Sequence, residues 1–274
     1  MVKNILITGG AGYIGSHISE VLIQRKKKIF ILDNLSTGHK RLINKKAKFI
    51  LGDISNRHII KKILKNHKID SVIHLAAALS VGESQKKPNK YKRINIEGTK
   101  RLLISINNSN VKNIIFSSTC AVYKDGLDRV SESSKLKPTS VYGKTKLIGE
   151  KLIKKFCKRN RINYGILRFF NVAGASPTGK IGQINKGDQL FKNLSLELNK
   201  RYPVFKVYGD DYNTKDGTCI RDYIHVSDIA KIHYEVLKKI NKINNSVIFN
   251  CGYSKGISVK EVIEAFKKIL EKKL

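Results

Sequence analysis

Thr8-Gly9-Gly10-Ala11-Gly12-Tyr13-Ile14-Gly15 follows directly on the apolar run Asn4 to Thr8 and leads into an apolar stripe at Ile14, Ile18, Val21 and Leu22. A short apolar run followed by glycines and then by a helical period reads as strand, tight loop and helix. The glycines satisfy both GxxGxxG and GxGxxG. Gly9 and Gly12 let the backbone turn and approach a pyrophosphate, Gly15 lets the helix pack on the strand, and the helix amino terminus contributes positive potential. The next apolar run, Ile29 to Asp33, ends in an acid. A carboxylate there accepts from both hydroxyls of an adenosine ribose and repels a 2′-phosphate, which selects NAD over NADP. Asp53, closing a third run, is a weaker candidate for the adenine amine, with a helix cap as its alternative.

Working outward, the runs Phe49 to Gly52, Ser71 to Ala76, Asn113 to Ser117 and Tyr164 to Phe169 alternate with helical stripes such as Ile59, Ile60, Ile63 and Leu64. Apolar strands alternating with amphipathic helices predict an α/β fold: a doubly wound, Rossmann-type parallel sheet covered on both faces. Regularity lapses between Asn171 and Lys206. Beyond it a helix is expected around Val226 to Ile240, a strand at Val247 to Cys251, and a helix from Ser258 carrying Val259, Val262, Ile263, Phe266 and Leu270 on one face. The expected division is a dinucleotide-binding domain over 1–171, rejoined by 225–252, and a smaller substrate-binding lobe over 172–274. The last helix stops at Leu274 without a capping signal, so the chain reads as short at its carboxyl end.

Tyr142-Gly143-Lys144-Thr145-Lys146 sets a tyrosine and a lysine on one helix face. A neighbouring ammonium and a positive nicotinamide ring both favour phenolate, so Tyr142 is expected to have a lowered pKa and to take a proton from a substrate hydroxyl. Lys146 is expected to hold the nicotinamide ribose. Thr119 ends the strand Ile115-Phe116-Ser117-Ser118-Thr119, where open parallel sheets bind ligands, and can hydrogen-bond the reacting oxygen or cap a turn.

The 54 Lys+Arg against 21 Asp+Glu give a formal charge of +33. One reading is a polyanion-binding surface; the other is lysine decorating solvated helix faces. The scatter of basic clusters over Arg25 to Lys28, Lys61 to Lys65, Lys151 to Arg159 and Lys267 to Lys273 favours the second, and no specific nucleic-acid partner is expected. Cys120, Cys157, Cys219 and Cys251 form no CxxC pair and read as buried free thiols, with no metal site. The amino terminus enters a strand at once and no apolar run reaches the ~18 residues of a membrane span, so no membrane association is expected and the cytoplasm is the expected compartment.

The segments TGGAGYIGSH (8–17), LDNLSTG (32–38), Gly52-Asp53, VIHLAAALSVGES (72–84), SSTCAVY (117–123), YGKTK (142–146), LRFFNVAGASPTGKIGQ (167–183) and YGDDYNTKDGTCIRDYIHVSDIA (208–230) resemble bacterial UDP-glucose 4-epimerases of the extended short-chain dehydrogenase type, over essentially the whole length. The resemblance implies interconversion of UDP-galactose and UDP-glucose through a 4-keto sugar, with NAD tightly bound and regenerated. Uronic or N-acetylated sugars would serve as alternative substrates of the same chemistry. It implies Thr119, Tyr142 and Lys146 as the catalytic set. Cofactor contacts are implied at Gly9, Gly12, Tyr13, Ile14, Gly15, Asp33, Asn34, Asp53, Ile54, Ala76, Ala77, Asn95, Ser117, Tyr142, Lys146 and Phe169. Substrate contacts are implied at Thr119, Asn171, Gln189, Leu190, Tyr208 and Arg221. Arg221 suits a phosphate because its planar fork bonds two oxygens; a surface ion pair with Asp222 is its alternative. Cys120-Ala121 stands where related 4,6-dehydratases carry an Asp-Glu pair, which disfavours water elimination. Leu79, Phe169 and Lys124 replace a lysine, a tyrosine and a glycine usual in the family. The family continues for several dozen residues past the equivalent of Leu274, with a second phosphate-binding arginine there, so a weak or inactive homologue is the alternative expectation. A homodimer is implied, with the helix from Tyr142 to Phe156 as a candidate contact.

Overall fold

In the computed structural model, residues 2–126, 129–184, 189–201 and 203–271 are described. β1 (Asn4–Thr8), β2 (Lys28–Asp33), β3 (Lys48–Leu51), β4 (Ser71–His74), β5 (Asn113–Thr119) and β6 (Asn163–Phe169) form a parallel sheet in the order β3-β2-β1-β4-β5-β6. The sequence-predicted strands lie where expected to within a few residues. β9 (Val247–Cys251) returns from beyond the irregular region and pairs with β6, with Leu167 against Phe249. That strand order is the dinucleotide-binding one, and the order reverses between β1 and β4.

Strand alternation divides the core in two. Ile5, Ile7, Ile29, Ile31, Ile73, Ile115 and Leu167 point to the side covered by α1 (Tyr13–Gln24) and α8 (Val226–Ile243). Leu6, Phe30, Leu32, Val72, Ile114, Phe116 and Ile166 point to the other. That side is covered by α2 (Arg57–Asn66), α5 (Gly98–Ile106) and α6 (Val141–Asn160). Strands buried on both faces carry no polar alternation, which is why they read as continuous apolar runs.

The remaining helices are short or peripheral: α3 (Val81–Lys86), α4 (Pro88–Tyr91), α7 (Leu190–Glu197) and α9 (Val259–Glu271). A π-helical turn, Lys92–Glu97, leads into α5. β7 (Asn171–Ala173), β8 (Ile220–His225) and β10 (Gly256–Ser258) make a small second sheet. α9 begins at a capping box, in which Ser258 and Glu261 exchange backbone hydrogen bonds at 2.7 and 3.1 Å. Val262 is buried beneath α9 and Phe266 meets Phe191; the side chain of Leu270 lies outside the described residues, as does Leu274. Of the four thiols, all free, only Cys157 and Cys251 are fully buried; Cys120 and Cys219 are partly exposed, the first opening the 3-10 turn that follows β5 and the second in the irregular chain just before β8. No helix among the described residues is long and apolar enough to cross a membrane.

Candidate functional site

The carboxyl ends of β1, β2, β4, β5 and β6 bring Thr8, Asp33, His74, Thr119 and Phe169 to one edge. Gly9 there has φ +74°, and a Cβ on it would lie 2.7 Å from the Ala76 nitrogen. A Cβ on Gly15 would lie 2.5 Å from the Gly9 oxygen, so this glycine lets α1 pack against the loop's own backbone and not, as its sequence position suggests, against the strand. A Cβ on Gly12 meets only that same oxygen, at 3.3 Å. Gly12 caps α1 with no side-chain hydrogen bond, leaving the helix amino terminus available to an anion.

Asp33 is buried, its oxygens accepting from the Ala11 and Leu35 amides at 3.0 and 2.8 Å. Each oxygen keeps a second acceptor site, as ribose hydroxyls require. Asn34 donates to Asp53 at 2.7 Å, joining two residues singled out separately from sequence. Asp53 does not cap α2; Asn56 does, accepting from the His58 and Ile59 amides. Burial opposes ionisation of Asp53, but the Ser55 amide and Asn34 outweigh it and hold its carboxyl below the usual range. Loop, uncapped helix and acid together fit an adenine dinucleotide.

Tyr13 and Asn95 are drawn to protein partners. The Tyr13 hydroxyl donates to the Gly174 carbonyl at 2.6 Å, tying the glycine loop to the chain beyond β7. The Asn95 amide brackets Ala78 through both its backbone groups and donates to Thr145, fixing the loop that carries Ala76 and Ala77. Ile54 is buried beside Gly98, Ile14 packs at the edge of the core, and the buried Ser117 hydroxyl has no protein partner.

α6 starts at Ser140, whose side chain accepts from the Gly143 amide at 3.0 Å. Gly143 sits so close to the turn after β5 that a Cβ would lie 2.2 Å from the Ala121 oxygen. That approach brings Tyr142 against Thr119. Both are nearly buried, and the Thr119 side chain acts on the phenol to favour its ionised form. Lys146 sends its Nζ to the Ser117 carbonyl at 2.6 Å and lies 4.9 Å from the centre of the Phe116 ring. Burial pushes its pKa down to about 8, and Glu150 opposes that shift.

The sequence expectation for Tyr142 is corrected in sign. Burial pushes its phenol well above the usual range, Thr119 alone pulling it down. Lys146 faces the Ser117 carbonyl, and desolvation of the phenol outweighs what a neighbouring ammonium contributes.

The substrate candidates are brought together only in part. Asn171, on β7, donates to the Asp222 carbonyl of β8 at 3.2 Å, and Arg221 is exposed on β8. The Arg221–Asp222 ion pair does not form: the Asp222 carboxylate is taken by the Tyr253 and Ser254 amides at 2.9 Å each. Arg221 donates to the Ile220 carbonyl at 3.0 Å; burial pushes the Cys120 thiol up, while Thr119 and the charge of Arg221 pull it down. Gln189 precedes α7 and Leu190 begins it, while Tyr208 is 87% exposed in irregular chain. Clefts of about 400 and 770 Å³ open at the amino-terminal edge of the sheet, lined largely by Lys26 to Lys28 with Lys48, and by Lys151 to Lys158 with Arg161. Neither is lined by a candidate residue.

Sequence reasoning missed Glu150, Arg168 and His74. His74 bridges Thr8 and Thr99 at 2.8 and 3.0 Å. Glu150 and Arg168 form a buried ion pair at 2.8 Å. The available signals were a third residue at spacing four after Tyr142 and Lys146, and a lone arginine in the apolar run of β6.

Residues 5–252 match the model of the NAD dependent epimerase/dehydratase family. The UDP-glucose 4-epimerase of Lactobacillus helveticus is 42% identical over 269 residues, spanning 97% of this chain and 81% of the relative. The UDP-glucose 4-epimerase of Brucella ovis, solved in complex with NAD, superposes with a TM-score of 0.90 at 35% identity, over 96% of this chain and 82% of that one. That of Bifidobacterium longum, solved with NAD+ and UDP, gives a TM-score of 0.90 at 33% identity, over 97% and 83%.

Proposed function

The chain belongs to the NAD-dependent epimerase/dehydratase family, and on that premise we propose that it interconverts UDP-galactose and UDP-glucose with NAD as resident cofactor. The observation that carries this reading is the glycine loop with buried Asp33 at the same sheet edge as the buried set Thr119, Tyr142 and Lys146, the last two one turn apart on α6. Relatives 36–42% identical over nearly the whole chain are UDP-glucose 4-epimerases.

NAD supplies reversible acceptance of hydride from C4 of the sugar. Gly9, Gly12 and the amides opening α1 hold its pyrophosphate, and Asp33 holds the adenosine ribose. Asn34, Asp53 and Ile54 flank the adenine, while Ala76, Ala77, Ser117 and Phe169 line the way to the nicotinamide. Tyr142 takes the C4 hydroxyl proton and gives it back; Thr119 holds that oxygen and favours the ionised phenol. Lys146 orients the nicotinamide ribose and contributes positive charge beneath the phenol. Cys120 and Ala121 offer no acid or base for eliminating water. Asn171, Gln189, Leu190, Tyr208 and Arg221 receive the nucleotide diphosphate. In this division of labour, 1–171 with 225–252 holds the cofactor and 172–274 the nucleotide sugar.

The compartment proposed is the cytoplasm, in keeping with four unpaired cysteines. The assembly proposed is a homodimer through α5 and α6, where Ile104 and Ile148 are exposed among lysines.

The test is conversion of UDP-galactose to UDP-glucose by purified protein without added NAD, beside Tyr142→Phe. The parent is expected to turn over and the variant to lose at least about 100-fold in kcat. A parent that retains NAD and leaves UDP-galactose unchanged refutes the reading.

A further inference from the structure

Three consecutive residues at the end of β5 meet three turns of α6. The Thr119 side chain favours the ionised Tyr142 phenol, the Ser117 carbonyl accepts from Lys146 at 2.6 Å, and the Ser118 hydroxyl donates to Glu150 Oε1 at 2.6 Å. Tyr142, Lys146 and Glu150 are spaced by four and share a helix face. Resting on the epimerase reading, we propose that Glu150 is a positioning residue for that reaction, which locks α6 to the end of β5 and supplies the counter-charge for Lys146.

The Glu150 carboxylate is fully engaged. Oε1 accepts from Ser118 and from Arg168 Nε at 2.9 Å, and Oε2 accepts from Arg168 Nη2 at 2.8 Å. The Arg168 and Glu150 side chains are 1% and 0% exposed. The remaining arm of Arg168 donates to the Tyr123 hydroxyl at 2.8 Å and the Glu132 carbonyl at 3.1 Å. Tyr123 in turn donates to Asn250 of β9 at 2.6 Å. The lock therefore runs from α6 through β5 and β6 to β9, and a buried carboxylate held by three hydrogen bonds over its two oxygens keeps one geometry.

An ordinary core ion pair would do as much for stability, so the counter-charge separates the two roles. Lys146 makes no direct ion pair with Glu150; its nitrogen goes to Ser117. The titratable and charged groups facing it are Tyr142 and Glu150 on α6, His74 on β4 and Arg168 on β6, with Tyr91 and Cys120 beyond Tyr142. Burial, with Lys146 adding to it, holds His74 down to about 3, and burial holds Tyr142 protonated. Of these groups Glu150 alone is negative. Without that charge, buried Lys146 has no anion among these groups and gives up its proton at lower pH.

The experiment uses the protein purified with its cofactor and labelled with 13Cε-lysine, the Lys146 signal being assigned by Lys146→Arg. Wild type is expected to titrate near 8 at this position. Glu150→Gln should shift that titration and the alkaline limb of kcat acidward by about one unit, lowering kcat at pH 8 about fivefold with KM for UDP-galactose nearly unchanged. Glu150→Asp should restore the titration. Ser118→Ala, which leaves the ion pair in place, should lower kcat roughly three- to tenfold, the loss of one hydrogen bond, without moving the lysine. A folded Glu150→Gln protein with unmoved titration and pH limb, and only a lower Tm, overturns the proposal. Should Glu150→Gln not fold, a wild-type kcat in Ser118→Ala overturns it instead. A wild type inert toward UDP-galactose would overturn the epimerase reading, while the lysine titration would still decide the counter-charge.

Discussion

Thr119→Val tests the core of the mechanism with an isosteric change. Thr119 is nearly buried at the end of β5, where its Oγ1 accepts from the Ala121 amide at 3.2 Å and its hydroxyl favours the ionised Tyr142 phenol. Valine keeps the shape and removes both interactions. The first loss leaves one backbone donor unpaired and costs about 1 kcal/mol of stability. The second bears on rate: burial already pushes the phenol's pKa up, and Thr119 is what pulls it down. A hydrogen bond to a group that becomes charged contributes about 1.5–3 kcal/mol, so kcat should fall roughly 10- to 150-fold. Thr119 does not belong to the glycine loop, so bound NAD per chain should stay at the wild-type value. The assay is steady-state conversion of UDP-galactose, with cofactor released by denaturation and counted. A kcat within twofold of wild type, at unchanged cofactor content, would refute the assignment of Thr119 to the reacting oxygen and the phenol.

Gly15→Ala places a methyl 2.5 Å from the Gly9 oxygen and 2.7 Å from the Gly10 Cα, so the loop must move. Overpacking of about 1–3 kcal/mol should weaken NAD retention roughly 5- to 150-fold, read by isothermal titration of stripped protein. His233 is fully buried with its Nε2 unpartnered, and burial holds its pKa down to about 4. It is neutral when folded, whereas the unfolded chain binds the proton below about 6.5; its share of stability is present above 6.5 and is lost as pH falls toward 4. Between pH 7.5 and 5 that loss is about 2 kcal/mol, so urea midpoints for His233→Leu should fall less over this interval than those of the parent, by that amount.

The cofactor end of the site was legible because its requirements are local. Glycine at 9 answers to a positive φ and at 15 to a backbone 2.5 Å away, and Asp33 needs only to end a strand. Tyr142 and Lys146 were legible for the same reason, as helix periodicity puts them on one face. Gly143 stands inside the same motif, yet its role, admitting the Ala121 carbonyl, depends on where β5 ends, at Thr119 far upstream. Arg168 was passed over because a strand buried on both faces is read by its apolar content, and its one charge looked like an exception to the pattern. Asp222 was read as a partner for Arg221 by adjacency, but neighbours along a strand point to opposite faces, and the turn at Tyr253 and Ser254 claims the carboxylate.

The sign of the Tyr142 shift has a different origin. Sequence supplies the charges beside a group and not the water removed from it, and here desolvation is the larger effect. The same burial acts on Lys146 in the opposite direction, down to about 8, because it disfavours whichever form is charged. Tyrosine and lysine are thus both driven toward neutrality by one cause. Three features act against it: the Thr119 hydroxyl on the phenol, the Glu150 carboxylate on the lysine, and the Arg168 fork that holds that carboxylate in place. An ion pair with no surface exposure would add little to stability over a well-packed apolar pair. Its position one turn from Lys146 gives it a use that stability alone does not.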